Sequence, residues 1–310
     1  MKKFFSVIIF FSILSGQNLL VQVPGEAKNP GMSFLKLGMG ARPCGMGEAF
    51  TSVSGDIASL YWNPAGLSRI EGFEATFLHN RWFQDISTEY FGTVLKIKKN
   101  VFGLSFTLNK VPDIERRVSA SSEPLGTFDA HQFSGGITWA RSFSPLLDLG
   151  LSAKWVYEKI DLSSASGLGL DGGGVLHIRK NLSLGACVLN LGPKIKFDEQ
   201  KFSLPTYYKL GASYLKEEKR LNGDFFVTLD LVQLKDADWK VHTGIEYTYQ
   251  NSFSLRGGYQ FGYDEKSYSL GFGLKINRQD ASQRYGIDYA FVPFGSDLGN
   301  THRISFSIKL

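Results

Sequence analysis

The chain has 310 residues, a formal charge of +5, 14% aromatic residues, 34 glycines and two cysteines. The mild positive charge is spread along the chain with no Lys/Arg stripe, which argues against a nucleic-acid partner. Two cysteines are too few for a disulfide framework: Cys44 and Cys187 read as two small buried residues or as a single bridge in an oxidising compartment.

Lys2 and Lys3 precede an apolar run from Phe4 to Leu14, and small or polar residues follow at Ser15, Gly16 and Gln17. That is the pattern of a secretory signal peptide, too short to span a bilayer as a helix. Residues 1–20 are expected to be removed, and no later run of 18 apolar residues marks a transmembrane helix.

Residues 21–72 follow no strand period and read as a plug-like segment. Met46 to Val53 and Asp56 to Tyr61 look like two short helical turns, broken at Gly55 and with Asp56 as an N-cap. Asn63-Pro64-Ala65-Gly66 reads as a tight turn, with Pro64 fixing φ and Gly66 permitting a positive one. A glycine-rich stretch this short cannot fold alone. It should pack inside a barrel or under its periplasmic mouth. Phe34, Leu35, Leu37, Met39, Met46, Phe50 and Trp62 would line an apolar lumen pocket if one exists, or else pack the plug itself.

From Phe73 onward apolar residues fall at every second position, as in a strand with one greasy and one wet face. Val241, Thr243, Ile245, Tyr247 and Tyr249 alternate with His242, Gly244, Glu246, Thr248 and Gln250. About fourteen such segments are expected, roughly at 73–82, 88–98, 101–111, 127–142, 147–161, 167–180, 182–195, 204–217, 222–234, 238–250, 252–264, 266–278, 283–294 and 300–310. Many are ten or more residues long, which suits a tilted membrane strand, and the count is even, as a single-chain bacterial barrel requires. The last segment sets Ile304, Phe306, Ile308 and Leu310 on one face, as a strand closing a barrel against the first would.

Even-numbered connections such as 98–100, 179–181 and 250–252 are short, and the longest odd ones fall at about 112–126 and 196–203. The odd loops are therefore expected outside the cell and both termini in the periplasm. Ile114, Arg116, Arg117, Ile195, Phe197 and Phe202 are the candidate partner contacts on those loops. His242, Glu246, Arg256, Lys275, Arg284, Asp288 and Arg303 take the inward parity, where they fill and solvate the lumen.

Catalytic signatures are missing. Gly167-x-Gly169-x-x-Gly172 sits inside a strand and not before a helix, so it does not signal a dinucleotide. No G-x-S-x-G occurs, and His79, His131, His177, His242 and His302 are scattered away from any serine-containing signature. No metal spacing is present, and no cofactor or metal is expected.

Gly40-Ala41-Arg42, Gly45-Met46-Gly47-Glu48-Ala49-Phe50 and Asp56 through Asn63-Pro64-Ala65-Gly66-Leu67, continued by Phe77 to Ser87, resemble the N-terminal region of the FadL-like outer-membrane proteins, and most of all the PorV/PorQ (UPF0164) branch. The resemblance covers residues 34–90, with Gly40, Arg42, Gly45, Met46, Gly47, Asn63, Pro64, Ala65 and Gly66 as its plug or hatch motif. It implies a fourteen-stranded barrel. For the PorV-like branch it implies binding or shuttling of exported proteins in type IX-like secretion; for FadL itself, passage of long-chain fatty acids.

The expectation is thus an all-β membrane protein: a 14-stranded antiparallel outer-membrane β-barrel over 73–310 with a short plug holding one or two helical turns. Its expected partners are outer-membrane lipid and either exported proteins and secretion-machine subunits or hydrophobic small molecules, with no nucleic acid and no enzymatic activity.

Overall fold

The computed structural model describes residues 30–117, 123–264, 266–277, 283–295 and 299–310; the expected signal segment lies outside them. The alternating segments form fourteen strands that close into one antiparallel barrel. In chain order they are β1 (Phe73–Arg81), β2 (Ser87–Ile97), β3 (Asn100–Arg116), β4 (Gly126–Ser142), β5 (Leu147–Ile160), β6 (Ser163–Arg179), β7 (Leu182–Leu191), β10 (Tyr207–Glu218), β11 (Gly223–Leu234), β12 (Lys240–Tyr249), β13 (Phe253–Phe261), β14 (Tyr268–Asn277), β15 (Arg284–Phe294) and β16 (Gly299–Lys309), while β8 (Ile195–Phe197) and β9 (Gln200–Phe202) make a separate hairpin. The seam joins β1 to β16, with Glu74 opposite Lys309 and Arg81 opposite His302. Closure of this kind leaves no sheet edge.

Parity decides the two faces. Leu104, Ile137, Leu151, Leu255, Phe272 and Phe306 stand on the outer wall, while Asp148, Asp230 and Arg303 are buried within. Among the described residues no helix is long and apolar enough to cross a membrane; the crossing is made by strands. Cys44 and Cys187 are both free and buried.

The strand boundaries fall within four residues of those expected, β6 starting at Ser163 and β7 ending at Leu191, except at β3, which was expected to end at 111. Its ladder shifts register between Val111 and Ile114 and then resumes as far as Arg116 opposite Gly126. Pro112 brings no N–H to the ladder and Asp113 takes φ +56°, so the pair inserts a bulge without ending the strand.

The even connections and Leu310 lie at one end of the barrel, here the turn mouth; the odd connections lie at the other, the loop mouth. The plug runs through the lumen between them. Met32, Phe34 and Leu35 cluster with Ile195, Phe202 and Leu204 near the loop mouth. Leu67 and Ile70 cluster with Val94, Val101 and Ala140 near the turn mouth. The first described residues therefore sit at the mouth opposite Leu310; the N-terminus expected beside Leu310 lies outside the described residues.

Within the plug, α1 (Ala41–Gly45) and α2 (Ser59–Trp62) are the helical turns. The first was expected at Met46 to Val53, but Gly47 and Glu48 both have φ +63°, which a right-handed helix cannot continue through. The second starts three residues later than expected and ends one later, and Asp56 Oδ1 accepts the Ala58 N–H at 2.8 Å. Asn63-Pro64-Ala65-Gly66 opens a 3-10 helix (Pro64–Arg69), with Asn63 Oδ1 accepting the Ala65 N–H at 3.1 Å and Pro64 at the first helical position. Gly66 does not take a positive φ, contrary to expectation. It is needed for space: a methyl group there would run into the Val53 carbonyl and the Ser59 hydroxyl.

Candidate functional site

Inward glycines let the plug touch the wall. A Cβ on Gly258 (β13) would overlap Gly47 N and the Met46 carbonyl carbon, one on Gly244 (β12) would meet the Met46 carbonyl, and one on Gly271 (β14) would lie 3.2 Å from Gly45 Cα. Around the barrel the same holds for Gly150 (β5) against Pro64, Gly173 (β6) against Asn63 and Gly185 (β7) against Thr51. These positions form a belt where the backbones of plug and wall meet.

Polar groups fix the plug in that belt. Arg42 binds Glu246 through Nε (2.9 Å) and Nη2 (2.6 Å), and its Nη1 reaches Asp56 Oδ2 at 2.6 Å. Glu246 also holds Arg256, which continues to Asp288 at 2.6 Å. Asp230 Oδ2 accepts the N–H groups of Phe50 (2.8 Å) and Thr51 (2.9 Å) and the Thr51 hydroxyl (2.6 Å). Asn63 Nδ2 donates to Thr51 O at 2.7 Å, and Ser305 accepts the Ala41 N–H at 2.8 Å. Burial alone would raise the Glu48 carboxyl, but Lys266 (3.2 Å) and Arg303 (3.8 Å) hold it down at about 2. Burial pushes the Cys44 thiol up to about 11 although Arg303 donates to its Sγ.

At the loop mouth the lumen holds a cavity of about 310 Å³, floored by Leu35, Tyr61 and Trp62 of the plug and walled by Lys209, Tyr207, Lys240 and Tyr263, among others. Tyr61 and Trp62 are set by hydrogen bonds to Leu35 O and Met39 O, both at 2.8 Å. A larger depression of about 860 Å³ lies on the outer wall among Leu95, Phe102, Leu104, Ile137 and Leu151. It is lined by the lipid-facing residues and belongs to the bilayer side.

Of the expected apolar lining, Leu35 and Trp62 border the cavity. Phe34 packs with the hairpin cluster, with Leu37 partly buried beside it, and Met46 and Phe50 are fully buried between α1 and the wall. The expected exposure of the hairpin is overturned: Ile195 and Phe202, opposite each other in β8 and β9, face inward at 4% and 8% exposure. Gly167 and Gly31 leave the room they occupy, and Phe197 packs partly buried against the same cluster. Ile114 and Arg116 lie on β3 and not in a loop; Arg116 pairs with Asp161, and Arg117 pairs with Glu115 at 2.8 Å. Lys275 and Arg284 are exposed near the turn mouth, whereas His242, Glu246, Arg256 and Arg303 are buried in the lumen.

Sequence reasoning missed Lys209, Asp230 and Glu48. Lys209 between Tyr208 and Leu210, and Asp230 between Leu229 and Leu231, were legible as charges at the inward parity. It also missed a Ser183–His177–Asp148 chain, with His177 2.9 Å from Ser183 Oγ and 2.7 Å from Asp148 Oδ2. Ser183 and His177 are cross-strand partners, a proximity that linear spacing hides. Asp148 is shared with Arg69 (2.7 Å) and Ser142 (2.7 Å), so the group ties the plug's exit to the wall. Among the described residues no three His, Cys, Asp or Glu side chains converge as a metal site.

Comparison with known proteins assigns this plugged barrel. Residues 23–145 match an uncharacterised protein family, UPF0164, and residues 142–308 match the type IX secretion system membrane protein PorP/SprF. The chain belongs to the PorP/SprF family. Its N-terminal half carries the UPF0164 resemblance read from residues 34–90, while the PorP/SprF match covers strands for which the sequence had suggested only a barrel. No curated protein matches this PorP/SprF-family chain in sequence. In structure it is similar to the Pseudomonas putida toluene transporter TodX (TM-score 0.62, 13% identity, 87% of this chain and 97% of that one). The Ralstonia pickettii toluene transporter TbuX (0.59, 12%, 87% and 97%) and a Pseudomonas aeruginosa FadL homologue (0.53, 11%, 87% and 97%) share the fold as well. The PorP/SprF-family chain is therefore an outer-membrane-type barrel of FadL-like architecture.

Proposed function

We propose that this barrel is a binding component of a type IX-like secretion system, engaging exported proteins or secretion-machine subunits from its loop mouth without catalysis. It resides in the outer membrane, with the loop mouth outside the cell and Leu310 at the periplasmic edge. The match of residues 142–308 to a type IX secretion membrane protein carries this reading. The packed plug supports it, because a belt of glycine contacts and buried ion pairs fills the lumen where a conduit would have to run. Crosslinking in intact cells followed by purification of the heat-modifiable, folded barrel tests it. Recovery of exported proteins or type IX subunits is expected; a folded barrel that captures neither overturns the proposal.

A second reading, passage of hydrophobic small molecules, draws on the fold shared with the toluene transporters and on the cavity beside Trp62. It requires the plug to open. Toluene uptake by vesicles carrying the barrel, above that of empty vesicles, would favour it over the binding role.

A further inference from the structure

Three lysine or arginine residues are buried among the described residues: Lys209, Arg256 and Arg303. Arg256 has Glu246 and Asp288, and Arg303 has the Gly38 carbonyl at 3.1 Å and Glu48 at 3.8 Å. Lys209, at 5% exposure, has no hydrogen-bond acceptor and no ion-pair partner among the described residues. Its ammonium rests on two aromatic faces, 4.4 Å from the Trp62 ring centre and 5.2 Å from that of Tyr207. Aromatic faces attract a cation but accept little from its three N–H groups. The ammonium borders the cavity without an acceptor among the described residues, and a group entering that space can supply one.

The cavity of about 310 Å³ lies against it. Five lysines border that space (Lys36, Lys154, Lys209, Lys240 and Lys266) against the carboxylates of Glu48 and Asp238. Glu48 is already taken by Lys266 and Arg303, and Lys154 is matched by Asp171 at 2.8 Å. Lys240 has no carboxylate partner among the described residues and lies 3.7 Å from the Tyr263 ring centre. The charge left over is positive. Apart from Asn190 and His242, the rest of the lining is apolar or aromatic, with Leu35, Leu189, Val232, Trp62 and Phe294 among it. A volume near the lower end of small-molecule sites excludes a long alkyl chain lying extended. Of the lining lysines without a carboxylate partner among the described residues, Lys36 is exposed and Lys240 half-buried, so Lys209 is the buried one; its point charge suits one carboxylate, whereas a phosphate is held best by a fork or nest of several donors.

We propose that this cavity is a binding site for a small organic monocarboxylate. The Lys209 ammonium takes the carboxylate, and Trp62, Tyr207 and Tyr263 enclose a short aromatic or aliphatic body. Entry is from the loop mouth, where Ala237 and Asp238 form the exposed rim. The plug closes the other side, so the site is a pocket and not a passage. It goes beyond the secretion role and does not depend on it.

The test uses the full barrel purified in a non-ionic maltoside, titrated with 4-phenylbutanoate and with hexanoate. The neutral amide of each serves as control, and binding is followed by tryptophan fluorescence and calorimetry. Saturable binding of at least one acid is expected, at least tenfold tighter than its amide. Lys209→Met should abolish that preference while the barrel stays heat-modifiable, and Lys209→Arg should retain part of it. Lys216→Met, at an exposed position on β10, should bind as the parent does. Equal binding of acid and amide, no saturable binding of either acid to the folded barrel, or an unchanged preference in Lys209→Met would each overturn the proposal.

Discussion

Arg42 of the plug and Glu246 of the wall meet through two parallel hydrogen bonds, at 2.9 and 2.6 Å, in the planar geometry that an arginine offers a carboxylate. The pair begins a charge chain that crosses from plug to wall and on to Arg256 and Asp288.

Breaking one end of that chain strands the other. Arg42→Met leaves Glu246 with one cation and Asp56 with none of its Arg42 contact, and removing one partner of a buried pair costs about 3–5 kcal/mol. The expected result is a plug cleaved by added protease between residues 40 and 62 in a barrel that remains folded. The double variant Arg42→Met, Glu246→Leu should recover much of the protection. A plug equally protected in the single variant would show that the pair is not its anchor.

The glycine belt predicts a steric phenotype. Gly258→Val puts a side chain where Gly47 N and the Met46 carbonyl carbon now lie. Overpacking costs about 1–3 kcal/mol, and here the plug is the part free to yield. Proteolysis of the plug should rise while strand content, read by circular dichroism, stays the same. Gly257→Val, one residue away and with a Cβ that would meet only Ile245 Cγ2 at 3.8 Å, is the control.

Glu48 predicts a pH dependence. Its carboxyl is held below the ordinary carboxylate range, at about 2, so its contribution is complete above that range and declines as pH falls through it toward about 2. Thermal unfolding in detergent should show plug release that steepens below the ordinary carboxylate pKa. Glu48→Gln should flatten that part of the profile. Identical profiles for parent and variant would remove Glu48 from the account.

The outer wall gives a depth-dependent prediction. Leu255 lies mid-strand on the lipid face at 52% exposure. Leu255→Arg should cost about 2–4 kcal/mol in denaturant unfolding from a bilayer, and Leu255→Phe much less. Equal stabilities would contradict the assignment of that face to lipid.

The wall was legible because one physical rule, lipid outside and polar groups inside, acts on every strand with period two. Ile304 through Leu310 and Val241 through Tyr249 state it plainly, and the strand count followed. The plug was legible only as a segment that breaks the rule. Its helix fell at Ala41–Gly45 and not at Met46, because the positive φ at Gly47 and Glu48 is imposed by contact with Gly258 and Gly244, residues some 200 positions away. Ile195 and Phe202 looked like exposed loop residues for the same reason, since the space that receives them is made by Gly167 and Gly31. Lys209 sat in view at an inward position, but only Trp62 of the plug and Tyr207 beside it make it an unmatched cation.

The plug passes from the loop mouth to the turn mouth and joins β1 directly, with Gly72 at φ +72° beneath the Leu310 carbonyl and Phe73 exchanging backbone hydrogen bonds with Leu310. The seam that closes the barrel is thus built on the last residue of the very segment it encloses. With backbone touching backbone around the belt, Trp62, Phe50 and Met46 have no clearance to be drawn in later. Biogenesis therefore has an order written into it: the strands must wrap a plug already lying along their inner face, and the zip between β1 and β16 is its final stitch.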